Sequence, residues 1–273
     1  RNVTTSAHTA NVKDYGAEGN GTTDDSVAIQ AAMDSGISNV YLPSGTYRID
    51  STLTLPDDVN LQGDGIDITI LDGSQATSSS LTGGEHIKTT DETLTALPDL
   101  SVDVTKMDTT LTFASAPTVS VGDVIFIYNP TDYSWASFGE EGSGSDRPYY
   151  RAGEQVVVAE ISGSVVTIKG HTHDSYDKDD IDMYRLVNPT RCTLSDFTLK
   201  GLGDQAINGI TYGIYLTQAV DSSINRVKCY NCTYSGITVK LCNSVSVVDC
   251  HVEDDVILVD GLTNGDYGLG ISN

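Results

Sequence analysis

The stretch "YGIYLTQAVDSSINRVKCY", residues 212–230, is followed by a second stretch of the same pattern, "YSGITVKLCNSVSVVDCHV", residues 234–252. Aligning Gly213 with Gly236, an interval of 23 residues, superimposes the apolar residues of the two stretches. The matched pairs are Ile214 with Ile237, Leu216 with Val239, Ile224 with Val247, Val227 with Cys250, and Cys229 with Val252. An alternating apolar pattern at this period predicts the coils of a three-strand β-solenoid, stacked about 4.8 Å apart.

The same pattern extends in both directions. Upstream, Leu194, Phe197 and Leu199 repeat the spacing of Ile224, Val227 and Cys229, and "YGLGI" at 267–271 restarts the strand. We therefore expect the coils to continue beyond Asn273. Residues 39–73 contain short apolar pairs separated by turn residues, which favours a solenoid over a sandwich. The pairs are Val40 and Leu42, Tyr47 and Ile49, Leu53 and Leu55, Val59 and Leu61, and Ile68 and Ile70.

One helix is predicted near the N-terminus. The turn-forming segment "NGTTDD", residues 20–25, offers N-cap candidates at Thr23, Asp24 and Asp25. An apolar pattern follows as far as Met33, and "DSG" at 34–36 provides a stop. The segment predicts a short amphipathic helix whose apolar side needs a partner.

Residues 74–190 interrupt the coil pattern. The segments 110–129 and 153–170 read as longer strands, and Ser162-Gly163 between two Val/Ile runs is a hairpin signal. We interpret this part as an inserted β-subdomain. The predicted organisation is an N-terminal arm at 1–10, the helix and first coils at 11–73, the insertion at 74–190, and further coils at 191–273.

The charge of the chain narrows the classes of function. It has 15 Lys and Arg against 38 Asp and Glu, a net charge of −23. Nucleic acids and anionic membranes are disfavoured as partners because binding them requires clustered Lys and Arg. There is no run of 18 apolar residues, so membrane insertion is not expected. An acidic polysaccharide would need a local basic groove.

The cysteines and histidines do not predict a metal site. The five cysteines lie in the last third of the chain, and Cys229-x-x-Cys232 resembles half of a zinc site without a second half. We interpret them as buried thiols in a narrow core, with a disulfide or a metal as the alternatives. His171 and His173 share a strand face, but no third ligand is evident. The prediction is therefore no metal and no cofactor.

A family resemblance is carried by the N-terminal segment. The sequence "NVKDYGAEGNGTTDDSVAIQAAMDSG" at 11–36 with "NVYLPSGTYRI" at 39–49 resembles the opening of the pectate-lyase-like superfamily. Its members are right-handed parallel β-helices in which an amphipathic helix caps the N-terminal end. The insertion more loosely resembles that of phage tailspikes and related virion proteins. The predicted fold is thus an all-β, right-handed parallel β-helix with an N-terminal capping helix and an inserted β-subdomain.

The resemblance implies a carbohydrate ligand without defining a reaction, since the superfamily includes lyases, hydrolases, C5-epimerases and tailspike depolymerases. Our leading expectation is a tailspike-like homotrimer of the virion tail. It would contact other tail or baseplate proteins, and bind and depolymerise a bacterial capsule or O-antigen. The alternatives are a secreted bacterial polysaccharide lyase or C5-epimerase, and a non-catalytic virion structural or adhesin β-helix.

Alternate residues of a solenoid strand point outward, which selects the binding candidates. The alginate-epimerase branch has an outward acid and an outward histidine after its tyrosine–glycine pair, but here those positions hold Tyr215 and Thr217. This departure argues against an epimerase site and favours a sugar-binding face. We also expect Arg226 to lie beside Asp249 in the next coil. The predicted substrate-binding residues are Tyr215, Thr238, Lys240, Arg226, Lys228, Asp249, His251, Trp135, Tyr149 and Tyr150.

The catalytic candidates are acidic. Glycosidic hydrolysis uses two carboxyl groups about 5–5.5 Å or 6.5–9.5 Å apart. The loop that begins at "VEDD", residues 252–255, has enough acids for such a pair. The candidates are Glu253, Asp254, Asp255 and Asp266, with turn-forming and solvated roles as the alternative interpretation.

Overall fold

The computed structural model describes residues 9–77, 80–90, 93–129, 152–187, 189–202, 211–240, 242–253 and 257–260. A 3-10 helix occupies Val12–Tyr15 and a helix, α1, occupies Ser26–Met33. The strands in chain order are β1 (Thr9–Asn11), β2 (Asn20–Asp24), β3 (Asn39–Leu42), β4 (Gly45–Arg48), β5 (Leu53–Leu55), β6 (Val59–Gly63), β7 (Thr69–Asp72), β8 (Glu85–Thr89), β9 (Leu94–Ala96), β10 (Thr110–Thr112), β11 (Val124–Asn129), β12 (Ala152–Ser162), β13 (Val165–Ile168), β14 (Asp182–Leu186), β15 (Cys192–Lys200), β16 (Tyr212–Thr217), β17 (Val220–Tyr230), β18 (Ser235–Lys240), β19 (Asn243–Val248), β20 (His251–Glu253) and β21 (Ile257–Asp260).

The chain divides into two compact units, with the divisions after Asp91 and before Pro189. We call the unit built from the segments outside these divisions the solenoid unit, and the one between them the insertion unit. Strand β8 lies within residues 74–190, yet it pairs in parallel with β5 and β16 of the solenoid unit. The predicted insertion therefore begins earlier in the sequence than the insertion unit does.

The solenoid unit is a parallel β-helix with three faces. The first face contains β1, β3, β6, β19 and the N-terminal halves of β15 and β17. The second face contains β2, β4, β7, β20 and the C-terminal halves of β15 and β17. The third face contains β5, β8, β16, β18 and β21. The pairings of β16 with β18 and of β17 with β19 and β20 confirm the predicted interval of 23 residues.

The core of the β-helix consists of stacked apolar columns, one beneath each face. Beneath the first face, Leu61, Leu194 and Ile224 stack in successive coils with none of their surface exposed. Equivalent columns lie beneath the other faces. Burial of this much contiguous apolar surface is the main stabilising contribution to such a fold. The capping helix adds Ile29, Ala32 and Met33 to the same core, as the amphipathic pattern predicts.

One of the predicted apolar pairs was wrong. In β7 the inward residues are Thr69 and Leu71, whereas Ile68 is 53% exposed. The Thr69 hydroxyl donates to the carbonyl of Leu42 and accepts from the backbone N–H of Asp64, so this buried polar group is satisfied. These hydrogen bonds allow a threonine to occupy an inward position of β7 beside the fully buried Leu71.

Between the first and second faces the chain turns through a residue in the left-handed region. Asp196, Arg226 and Asp249 occupy this corner in successive coils, with φ values of 63°, 50° and 52°. Asp tolerates this conformation better than most non-glycine residues, and Arg does not share that advantage.

The insertion unit is an antiparallel sheet in the order β10-β13-β12-β11-β14-β9. The predicted hairpin at Ser162-Gly163 is confirmed, since β12 and β13 pair across it and Gly163 has φ +61°. This unit has an apolar core of its own, which includes Phe113, Ile125 and Val158.

Candidate functional site

The second face carries charged residues that neutralise one another. Arg48, Asp72 and Lys200 are neighbours in successive coils, and the Lys200 Nζ lies 3.2 Å from an Asp72 carboxylate oxygen. Arg48 also pairs with Asp50 at 2.5 Å. Alternating signs on adjacent strands stabilise a sheet modestly. This part of the face therefore serves the stacking of the coils.

Three of the predicted site residues extend this pattern. The Lys228 Nζ lies 3.3 Å from Glu253 Oε2 and 3.7 Å from Asp67 Oδ1. His251 Nε2 lies 3.0 Å from Glu253 Oε1. The hydrogen bond from Lys228, and then the one from His251, lowers the pKa of Glu253 below its ordinary value. Glu253 is therefore ionised at neutral pH, which suits a base or a nucleophile and not the proton donor of a glycosidase.

Arg226 has a different main partner from the one expected. Asp249 is its neighbour in the next coil, but the guanidinium is bound to Asp196 of the preceding coil. Two parallel hydrogen bonds join them, 2.6 Å from Nε and 2.8 Å from Nη2. The Arg226 hydrogen bond lowers the pKa of Asp196. A bidentate pair of this kind fixes the guanidinium in place.

The third face brings together three half-buried tyrosines. The ring of Tyr212 lies 5.1 Å from that of Tyr215 and 5.1 Å from that of Tyr234. Glu85 is the neighbour of Tyr212 on β8. Only Tyr215 was predicted as a binding residue. Tyr212 and Tyr234 flank the glycines that align the two stretches, so the repeat itself could have identified them, whereas Glu85 lay within the residues assigned to the insertion.

The rest of the third face is less accessible. Thr238 is 5% exposed and its hydroxyl donates to the hydroxyl of Ser235 at 3.0 Å, while Lys240 is half-buried at the end of β18. Lys88, the neighbour of Tyr215 on β8, is 8% exposed. Thr238 and Lys88 are thus less accessible than the three tyrosines of this face.

The glycine of the tyrosine–glycine pair has a structural function. A Cβ on Gly213 would lie 2.4 Å from the carbonyl oxygen of Gly236 in the next coil. The close approach of the two backbones therefore requires glycine at 213, whether or not the neighbouring positions carry out chemistry.

Several predicted residues cannot be placed. Trp135, Tyr149, Tyr150, Asp254, Asp255 and Asp266 lie outside the described residues. The geometry of a second carboxyl group beside Glu253 is therefore not defined by the described part of the chain.

The cysteines are thiols within the β-helix. Cys192, Cys229 and Cys232 are buried, and Cys242 and Cys250 are half-buried. Burial raises the pKa of Cys192 to about 11, so this thiol stays protonated. In the insertion unit His173 Nδ1 lies 3.0 Å from Glu154 Oε2. Within the ranges that the structure describes, no cluster of three or more His, Cys, Asp or Glu side chains could hold a metal ion.

Comparison with known protein families assigns this chain to one of them. A family model described as rhamnogalacturonase A/epimerase, pectate lyase-like, matches residues 9–257. The match covers most of the 273 residues, and the chain belongs to this family. Within the described ranges, no helix has the length and apolar character needed to cross a membrane.

Individual relatives match parts of the chain. A mannuronan C5-epimerase of Azotobacter vinelandii is 39% identical over 111 residues, which are 36% of this chain and 13% of the epimerase. The pre-neck appendage protein of Bacillus phage B103 is 37% identical over 92 residues, 30% of this chain and 11% of that protein. The chain thus accounts for a small share of both relatives.

Among solved structures, the tailspike of Pseudomonas phage phi297 superimposes with a TM-score of 0.75 at 28% identity. The superposition covers 92% of this chain and 44% of the tailspike. This similarity confirms the predicted fold class, a pectate-lyase-like right-handed parallel β-helix similar to that of a phage tailspike.

Proposed function

We propose that this chain is part of a tailspike-like protein that binds and depolymerises a bacterial surface polysaccharide, either a capsule or an O-antigen. The observation that carries the proposal is the cluster of Tyr212, Tyr215 and Tyr234 on an outer face of the β-helix. Half-buried aromatic rings offer an apolar surface together with a polar hydroxyl, a combination suited to sugar rings. The similarity to a phage tailspike and to a phage appendage protein supports a virion or extracellular location.

The test of binding removes one aromatic ring of the tyrosine cluster. Tyr215→Ala is expected to weaken binding of the host polysaccharide about tenfold, a loss typical of one aromatic contact. Tyr215→Phe should retain most of the affinity because the ring remains. Tyr230→Ala is the matched control, since Tyr230 is a half-buried tyrosine on the second face. Calorimetry with purified host capsule or O-antigen measures all three variants. Equal affinity of Tyr215→Ala and the parent protein would contradict a role of the cluster in binding.

For the chemistry we propose the carboxyl groups of Glu253, Asp254, Asp255 and Asp266. The ionised Glu253 would act as base or nucleophile, and one of the other three as proton donor. The full-length protein is incubated with host polysaccharide, and shortened oligosaccharides are sought by chromatography. Replacing all four acids with Ala should abolish cleavage and leave binding intact. Undiminished cleavage by this variant would exclude these acids as the catalytic groups.

A second candidate function is binding without cleavage, as in a receptor-binding or structural β-helix. It is favoured by the position of Glu253, which Lys228 and His251 hold in an ion-paired cluster of the kind that stabilises sheets. Binding of host polysaccharide with no shortened product over long incubation would support this candidate and exclude depolymerisation.

A secreted polysaccharide lyase or C5-epimerase is less well supported. Relatives in Azotobacter vinelandii are named as mannuronan C5-epimerases and one as an alginate lyase, but here Tyr215 and Thr217 occupy the positions of the acid and the histidine of the epimerase branch. A lyase would produce unsaturated uronates, which absorb in the ultraviolet. Such a signal from alginate would favour this alternative over a tailspike.

The assembly is proposed to be a homotrimer that contacts other tail or baseplate proteins. Light scattering of the full-length protein measures the mass directly. A monomer at micromolar concentration would contradict the trimer and would favour a secreted enzyme that acts alone.

A further inference from the structure

Two neighbouring columns of outward positions on the first face contain no charged side chain, although the chain carries a net charge of −23. Two outward columns run along the described coils of this face. One contains Thr9, Asn39, Asn60, Thr193, Ser223 and Ser246, and the other contains Asn11, Tyr41, Gln62, Ser195, Asn225 and Val248, of which Ser195 is buried at 7% exposure. In the same coils the second face carries acids and bases. The lack of charge is thus a property of one face and not of the composition.

These side chains offer hydrogen bonds of both kinds. An amide has a donor and an acceptor, and so does a hydroxyl, which matches the hydroxyl groups of sugars. Neighbouring side chains already exchange such bonds, for example Asn60 Nδ2 to Asn39 Oδ1 at 3.1 Å and Asn225 Nδ2 to Ser223 Oγ at 2.9 Å. Tyr41 adds an aromatic ring, and Val248, 46% exposed, adds an apolar contact. The set suits an uncharged polar chain laid along the coil axis.

Both edges of the face carry negative charge. At one edge Arg191 is bound by Asp57 and Asp58, and Asp221 is a third acid near it. At the other edge the bidentate pair of Arg226 and Asp196 has Asp249 as the next residue in its column. Each arginine is thus outnumbered by carboxylates. A polyanion on this face would be repelled from both sides, since interactions act over about 8 Å at physiological ionic strength.

The cations of the second face are occupied as well. Lys200 pairs with Asp72, and Lys228 pairs with Glu253 and Asp67. A uronate chain binds through its carboxylates and would have to displace these partners, which costs the energy of the existing pairs. The first and second faces therefore provide a surface for neutral sugars and no open basic groove for acidic ones.

We propose that the first face is a binding surface for an uncharged segment of a polysaccharide chain. The inference rests on the proposed function, because it takes polysaccharide as the ligand and adds its charge class and a second place of contact. It separates this chain from its relatives that are named for mannuronan, whose substrate carries a carboxylate on each sugar.

The test uses the full-length protein and an array of purified bacterial polysaccharides, some neutral and some rich in uronates. The double variant Asn60→Ala, Asn225→Ala should bind a neutral polymer roughly tenfold more weakly, the loss expected from two hydrogen-bonding side chains. The matched control, Thr46→Ala with Tyr230→Ala on the second face, should bind as the parent does. Between 50 and 500 mM NaCl the dissociation constant should change by less than about twofold, because no ion pairs are screened.

The outcomes are distinguishable. Binding restricted to uronate polymers, with affinity lost at high salt, would overturn the inference and leave the proposed function standing. If a neutral polymer binds and only Tyr215→Ala weakens binding, the first face makes no contact with the polymer. This result would also overturn the inference and leave the proposed function standing. Failure to bind any polysaccharide, including that of a bacterium the virion infects, would overturn the proposed function and the inference with it.

Discussion

The first and second faces of the β-helix share the strands β15 and β17 but differ in the charge of their outward side chains. Strands β15 and β17 each contribute their N-terminal half to the first face and their C-terminal half to the second. On the first face the two columns described above contain amides, hydroxyls and one valine, Val248. On the second face they include Arg48, Asp72, Lys200 and Lys228, which pair with one another or with nearby acids. The second face joins its coils through ion pairs, and the first face joins them through hydrogen bonds between uncharged side chains such as Asn60 and Asn39.

The predicted binding residues Arg226, Lys228 and His251 take part in this charge pairing. Arg226, Lys228 and His251 were selected because cations near an acid could hold an anionic sugar. Each of them contacts a carboxylate of the protein. Opposite charges in adjacent coils thus form the stabilising cross-strand pairs that were the alternative interpretation of this pattern.

The largest expected effect is a loss of stability of the β-helix at acid pH, caused by a buried histidine. His86 is buried on β8, its Nε2 accepts from the backbone N–H of Leu202, and burial lowers its pKa from 6.5 to about 4. The nearby Asp72 opposes this shift. The folded state therefore favours neutral His86. Its contribution is present above pH 6.5 and is lost as the pH falls towards 4, a change of about 3 kcal/mol in the free energy of unfolding.

Urea unfolding at several pH values measures this slope. His86→Gln retains an acceptor and has no charge to gain, so its stability should depend less on pH between 4 and 6.5. A slope equal to that of the parent protein would assign the acid sensitivity to other groups. Variants of the first and second faces should therefore be compared at pH values above this transition, where the β-helix keeps its stability.

The second-largest effect on stability is expected at Gly63, at the corner between the first and second faces. A Cβ on Gly63 would lie 2.3 Å from the carbonyl oxygen of Asp196 and 2.9 Å from Thr69 Cβ. Because the first clash is with backbone, Gly63→Ala should lower the free energy of unfolding by roughly 2 kcal/mol. Gly163→Asn is the control, since that glycine has open space and a left-handed conformation that Asn tolerates. Equal stability of both variants would show that the coils can separate locally at little cost.

A smaller effect is expected at Arg226 of the same corner. Arg226→Val places a β-branched residue at φ 50° and removes the pair with Asp196, and the melting temperature should fall by about 3 °C. Arg226→Asn loses the same ion pair but tolerates the conformation, so it should melt close to the parent protein. If both variants melt equally low, the ion pair and not the backbone is the source of the effect.

The smallest effect is expected on the second face. Lys228→Ala removes the hydrogen bond that most lowers the pKa of Glu253, so that pKa should rise towards its ordinary value while the melting temperature changes little. Carbon-detected NMR titration of the carboxyl group measures the shift. Lys13→Ala, which changes an exposed cation in the 3-10 helix, is the control. An unchanged pKa in Lys228→Ala would mean that His251 alone holds Glu253 ionised.

The sequence predicted the repeating part of the fold well, and the reason is physical. In a solenoid each coil pairs with the next at a constant interval, so the apolar residues of one coil recur in the sequence at that interval. The pairs Ile214 with Ile237 and Cys229 with Val252 can therefore be identified from the amino-acid sequence alone. The pair at Ile68 and Ile70 was wrong because a satisfied threonine, Thr69, is as acceptable in the core as an apolar residue.

The candidate site depended on tertiary structure. The sequence indicated which residues alternate outward, and thereby Tyr215, but side chains such as Tyr212, Tyr234 and Glu85 meet only because three coils place them side by side. Charge pairing is equally non-local, since the partner of Arg226 lies 30 residues away in the preceding coil. The sequence by itself determined the β-helix, because periodicity is a local property of the chain. Only the tertiary structure decided which outward charges neutralise one another, because that depends on distances between coils.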